Sequence, residues 1–188
     1  MCGAHGGEGR RGLSRRKVLR GGVLGVLGAV PVLGVGHLAL GGTVAGGFPA
    51  GGPPYARPLA GNPRVTAAYG IPGDWLAGRH TGVDFAVDSG TAVHAVGTGT
   101  VDIAGEQGDY GEAVVIRLND GHFALCAHLS ACEVRAGQKV TGGDRIGASG
   151  ATGRVSGPHL HFEVRTSREY GTDIDPLKFL ADRGVPVL

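Results

Sequence analysis

The sequence predicts a mostly β protein, an antiparallel sheet or sandwich with little helix, and three observations carry that expectation. Beyond residue 60 the apolar residues fall in short Val-rich or alternating runs separated by glycine-rich breaks: Thr91 to Val96, Thr100 to Ala104, Ala113 to Leu118, His122 to Ala127 and His159 to Arg165. Asn119-Asp120-Gly121, between two of those runs, is a hairpin signal. No segment after residue 60 sustains a helical period except Pro176 to Asp182, a short terminal turn. Glycine makes up 38 of the 188 residues, well above the usual share, which implies many tight turns.

The first twenty residues carry Arg10, Arg11, Arg15, Arg16, Lys17 and Arg20 against Glu8 alone, and an uncharged stretch follows to Ala45. This is the layout of an export signal. Ser14-Arg15-Arg16-Lys17-Val18-Leu19 looks like a twin-arginine signal, and the many glycines of the apolar part suit that weakly hydrophobic class. A retained membrane anchor is the alternative, since the stretch is long enough to span a bilayer, but its glycines and Pro31 argue against a stable helix. Thr43-Val44-Ala45 offers small residues for cleavage.

Residues 1–45 hold six of the 18 Lys and Arg and one of the 16 Asp and Glu, so 12 bases face 15 acids in the remainder. The basic balance of the whole chain belongs to the signal, and no nucleic-acid partner is expected. Residues 46–60, rich in Gly and Pro, read as a tether in which no core forms. Residues 61–188 are the length of one modest domain.

Within that domain Gly153 to Arg165, GRVSGPHLHFEVR, is the most informative stretch. Read as a strand, it puts His159, His161 and Glu163 on one face and Leu160, Phe162 and Val164 on the other. Two imidazoles side by side on a strand suit a metal site or acid/base chemistry, although hydrogen bonds on a polar sheet face would also satisfy them. Upstream lies Arg79-His80-Thr81-Gly82-Val83-Asp84-Phe85. Fully extended, His80 and Asp84 would stand ~13 Å apart, so they share one ion only if the chain bends, which Gly82 permits. His80, Asp84 and one member of the His-x-His pair would supply two nitrogens and one carboxylate, leaving zinc a fourth position for water. His128, in Cys126-Ala127-His128-Leu129-Ser130, is a further imidazole.

Together these motifs resemble the lysostaphin-type, LytM-like zinc metallopeptidases that cleave peptides of bacterial cell walls. The likeness runs from about Val65 to Leu180 and includes Arg79 to Phe85, Gly90 to Val101, Ala127 to Ser130, Val134 to Gly153, Gly157 to Val164 and Asp175 to Leu180. It implies a duplicated-hybrid-motif-like β domain and one zinc per chain, bound by His80, Asp84 and His161. By the same resemblance His128 and His159 line the open side as catalytic groups. Glu163, on the ligand face of its strand, is a candidate to orient a ligand. The implied activity is hydrolysis of peptidoglycan cross-links or stem peptides by an exported, secreted or wall-associated monomer that meets the membrane only through its N-terminal segment. A catalytically silent wall-binding or hydrolase-activating module of the same fold is the alternative, and loss of ligands would mark it; all five residues are present.

Two positions depart from the family pattern, which has a tyrosine two residues before the central histidine and an aliphatic residue four after it. Here they are Cys126 and Cys132. Export makes a disulfide between them admissible and expected, two free thiols being the alternative. His94 and His122 also stand where the family is commonly aromatic and read as half-buried strand residues, not ligands.

Overall fold

The computed structural model describes residues 54–188; the expected signal or anchor and the first part of the tether lie outside them. Ten strands form one sheet among the described residues, and every ladder is antiparallel. They are β1 (Arg64–Ala67), β2 (Val83–Ala86), β3 (Ala92–His94), β4 (Gly99–Glu106), β5 (Glu112–Leu118), β6 (Phe123–Cys132), β7 (Lys139–Val140), β8 (Arg145–Ser149), β9 (Leu160–Arg165) and β10 (Asp173–Ile174). The one α-helix among those residues is α1 (Pro176–Ala181), begun by Pro176 and capped by Asp175, whose Oδ1 accepts from the Leu177 and Lys178 amides. The five expected runs all contain strand. β1, β7, β8 and β10 escape sequence reading because they are too short, or too mixed in composition, to show a period of two.

The sheet runs β1-β2-β9-β6-β5-β4-β7, with β10 also on β9 and β8 joining β3 to β6. Asn119-Asp120-Gly121 closes the β5–β6 hairpin, with Gly121 at φ 91° and its amide bonded to the Leu118 carbonyl. Strand β9 lies between β2 and β6, and its alternation separates two environments. Leu160, Phe162 and Val164 are completely buried in the main core with Val83, Phe85, Val114, Ile116 and Leu129. His161, Glu163 and Arg165 face the other way and are buried too, beside a smaller apolar cluster of Ala113, Val115, Leu125 and Ala127. The polar face of this strand is an interior, not a solvated surface.

Strand β6 changes partner at His128. Its residues Phe123 to Ala127 pair with β9, and Leu129 to Cys132 pair with β8. Against β5 an extra residue intervenes there, since Glu112 faces Leu129 while Val114 faces Cys126. His128 occupies this bulge at φ 60°, a non-glycine residue in the left-handed region.

Two expectations need correction. The C-terminal part of the tether belongs to the domain: Tyr55 bridges to Gly97 and its ring meets that of Phe179 edge-on at 5.8 Å, and Leu59 is a fully buried member of the main core. Gly and Pro content describes the backbone there, whereas Tyr55 and Leu59 pack on a core that other elements have built. The second correction concerns Cys126 and Cys132, which are free thiols six residues apart on the same strand. Their side chains occupy separate surroundings and no bond joins them. Cys126 is packed in the main core, while the Cys132 thiol points to Glu112 and the Ala113 carbonyl. Burial pushes both thiols up, Cys126 to about 12 and Cys132 to about 11 with help from Glu112.

His94, on β3, and His122 are half-buried and lie outside the group of His80, Asp84 and His161. His122 sits just before β6 and packs on Phe179.

Candidate active site

Asp84 reaches the site because β2 and β9 pair in one register. Val83 and Phe85 point into the core opposite Phe162 and Leu160, so Asp84 points to the other face, directly across from His161. His161 Nδ1 lies 2.7 Å from Asp84 Oδ1. His80 precedes β2 and is held between strands by backbone bonds to Gly70 and Ile71. Its Nε2 stands 3.1 Å from Asp84 Oδ1 and 3.1 Å from His161 Nδ1. The bend required between His80 and Asp84 is therefore present, but Gly82 serves a second need. A Cβ at position 82 would lie 2.5 Å from the Phe162 carbonyl oxygen and 2.8 Å from His161 Cε1. Only glycine allows this close approach of the segment to β9.

Each histidine has one ring nitrogen fixed by an outside partner, which orients the other. His80 Nδ1 is 3.0 Å from the Ala68 carbonyl, His128 Nδ1 2.9 Å from that of Thr152 and His159 Nδ1 2.9 Å from that of Gly157. Carbonyls only accept, so in these three rings Nδ1 donates and Nε2 keeps its lone pair. His161 is the reverse: Nε2 donates to Glu163 Oε1 at 2.9 Å, and Nδ1 is left toward the site. His80 Nε2, Asp84 Oδ1 and His161 Nδ1, all within 4.8 Å of one another, thus converge as three electron-pair donors with no hydrogen of their own between them. Such a set suits a divalent cation, and two nitrogens with one carboxylate match zinc in an open site.

Without a cation a proton serves instead. Burial opposes the imidazolium of His161, but hydrogen bonds to Asp84 and Glu163 outweigh it and raise its pKa to about 9. Burial likewise opposes ionisation of Asp84, and His161 and His80 overcome it, holding the carboxyl well below its ordinary value. His128 moves the opposite way: burial lowers it to about 4, so the ring is neutral at pH 7.

The remaining two histidines face the same space. The ring centroids of His128 and His159 are 4.7 Å apart, and His128 stands 5.8 Å from His161. All five expected site residues line one cleft of about 470 Å³. The exposed Trp75 closes one side, its ring 5.0 Å from that of His80, and Arg154 stands on another. Glu163, the expected ligand-orienting residue, contacts His161 directly and is completely buried.

Several contributors were missed from the sequence. Thr81 and Tyr110 donate to Glu163 Oε1 at 2.6 and 2.7 Å, and Arg165 Nε donates to Oε2 at 2.6 Å. The alternation that found Glu163 would, carried two residues further, have reached Arg165. Nothing in the sequence signals Tyr110, which comes from the short 3-10 turn Gly108–Tyr110.

Comparison with known proteins gives the family. Residues 78–176 match the family model described as Peptidase family M23. The chain is 45% identical over 98 residues to the "DD-carboxypeptidase/endopeptidase Mpg" of Neisseria meningitidis, covering 52% of this chain and 22% of that protein. It is 46% identical over 85 residues to the "Peptidoglycan DD-endopeptidase ShyA" of Vibrio cholerae, covering 45% of this chain and 20% of that one. It therefore spans about a fifth of the length of these curated relatives. Among solved structures, the catalytic domain of the antimicrobial peptidase lysostaphin from Staphylococcus simulans superposes with a TM-score of 0.61 at 37% identity, over 64% of this chain and 93% of that one. With a shared antiparallel fold and a family match over more than half its length, this chain belongs to peptidase family M23.

Proposed function

We propose that the protein is a zinc metalloendopeptidase that hydrolyses cross-link or stem peptides of bacterial peptidoglycan, with one zinc held by His80, Asp84 and His161. The observation that carries this reading is the convergence of those three donors in a cleft that also presents His128 and His159. Zinc bound there would polarise a peptide carbonyl and make water a stronger acid. The chain's own residues supply the rest. His128, neutral and with Nδ1 committed to the Thr152 carbonyl, offers Nε2 to take up a proton from water and return it to the departing amine. His159, with Nδ1 committed to the Gly157 carbonyl, offers Nε2 on the same side as a second acceptor, suited to polarise and orient the attacking water.

The wall substrate is supported by the relatives, one of which is named a peptidoglycan DD-endopeptidase. Action outside the cytoplasm is supported by the basic, glycine-rich segment around Arg15 and Arg16, and we propose that residues 1–45 are a twin-arginine signal. No helix among the described residues is long and apolar enough to cross a membrane.

Mass spectrometry of muropeptides released from defined peptidoglycans tests the reading. Zinc-dependent release of fragments cut within the peptide is the expected result, and intact wall after incubation with zinc-loaded protein would overturn it.

A further inference from the structure

We propose that Tyr110 and Arg165 are positioning residues for the metal donor His161, acting through Glu163; the inference rests on the metallopeptidase reading above. The carboxylate of Glu163 has no exposure to water, and its two oxygens are held from different sides. Oε1 accepts from His161 Nε2, Thr81 Oγ1 and the Tyr110 hydroxyl, and Oε2 accepts from Arg165 Nε. Arg165 closes the arrangement by donating through a terminal nitrogen to the Tyr110 oxygen at 2.8 Å. Guanidinium, carboxylate and phenol form one ring of bonds, buried beside the small apolar cluster of β5 and β6.

A buried carboxylate keeps its charge only when a cation and donors replace water. Arg165 is that cation, and it is itself only 6% exposed. Held as an acceptor, Glu163 requires an N–H at His161 Nε2, which leaves Nδ1 to face Asp84 and His80. If the ring of bonds opens, the carboxylate can turn away and His161 loses what fixes its orientation.

Tyr110 also lines the cleft, with its ring centroid 5.7 Å from that of His161, which suggests a proton donor to substrate. The bonds argue otherwise. Its hydrogen is directed to Glu163 and its oxygen receives Arg165, so the hydroxyl is committed to the protein.

The test compares Tyr110→Phe, Arg165→Met and Arg165→Lys with the wild type. Three quantities are read: zinc affinity by chelator competition, the His161 ring-nitrogen and Nε2–H signals of zinc-loaded protein by NMR, and kcat and KM on a cross-linked peptide. Tyr110→Phe should weaken zinc binding roughly 10-fold and Arg165→Met up to roughly 100-fold. Both should speed exchange of the His161 Nε2–H with water and lower kcat more than KM rises, and Arg165→Lys should restore part of each. If Arg165→Met fails to fold, Tyr110→Phe alone decides, because it removes one oxygen and keeps the ring. Wild-type zinc affinity and unchanged His161 signals in Tyr110→Phe would overturn the proposal. Wild-type protein that binds zinc tightly but cuts no peptide would overturn the metallopeptidase reading instead, with affinity and NMR still deciding the positioning role.

Discussion

Asp84 and His161 stand directly opposite each other on β2 and β9, and their facing Oδ1 and Nδ1 atoms lie 2.7 Å apart although 77 residues separate them in sequence. The pairing register of two strands thus sets the distance between two donors, so the site is as rigid as the ladder that carries it.

Loss of a donor and loss of a catalytic imidazole should separate cleanly. His161→Ala is expected to remove most of the metal, while His128→Ala keeps zinc and loses turnover by roughly 10²- to 10⁴-fold. Metal content after dialysis, set beside peptide hydrolysis, checks both. Equal zinc in wild type and His161→Ala would show that the donors lie elsewhere.

The proton that occupies the donor set competes with metal. His161 is raised from 6.5 to about 9, so it must deprotonate before zinc binds, and zinc affinity should climb about tenfold per pH unit up to about pH 9. In metal-free protein the same shift stabilises the fold fully below pH 6.5, and that contribution disappears as pH rises through about 9. Glu163 has the opposite sign: lowered from 4.5 to about 2, it stabilises above pH 4.5 and ceases to do so as pH falls towards 2. Melting temperature against pH, with zinc and with chelator, should show a decline between pH 6.5 and 9 in the chelated sample only.

The left-handed backbone at His128 should be measurable on its own. Both His128→Gly and His128→Ala delete the imidazole, but alanine still bears the steric cost of φ 60°. The glycine variant should therefore melt higher than the alanine one, by about 1 kcal/mol or a few degrees, with neither turning over. Equal melting temperatures would mean the bulge relaxes once the ring is gone.

At Gly82 the expected effect is steric. An added methyl would meet the Phe162 carbonyl at 2.5 Å, so Gly82→Ala should push β2 from β9, destabilise the domain by about 2 kcal/mol or more and weaken zinc binding. Denaturant unfolding of zinc-free protein separates the loss of packing from the loss of metal.

Thiol titration checks the cysteines. Denatured residues 54–188, isolated under oxidising conditions, should contain two free thiols, and reductant should leave the melting temperature unchanged. A single intramolecular disulfide would contradict the pairing of β6 with both β9 and β8.

Much of this site was legible because it rests on local periodicity. Alternation in HLHFEVR placed His159, His161 and Glu163 on one face, and Asn119-Asp120-Gly121 marked its hairpin without reference to anything distant. What stayed hidden depends on contacts across the sheet. Tyr110 lies 53 residues from the Glu163 it holds, and Leu59 is buried by strands that follow it in the chain. The cysteines misled for a related reason. Their positions in the family pattern and an exported chain suggested a bond, whereas the bulge at His128 lets one long strand pass through both, serving two partners in turn. Burial of the polar face of β9 was equally out of reach, since nothing in that strand reveals that Ala113, Val115, Leu125 and Ala127 will lie beside it.

The position of β9 also sets the order in which activity can arise during synthesis. β2 and β6 are made first, yet in the finished sheet the strand between them is Leu160–Arg165, close to the carboxyl end. Until that strand arrives, the emerging chain lacks His159 and His161 and has an open slot where they belong, so a product stopped before residue 159 has an incomplete donor group. Insertion of a late strand between two early ones is a non-local step that slows folding, and it makes the donor group one of the last parts of the molecule to become complete.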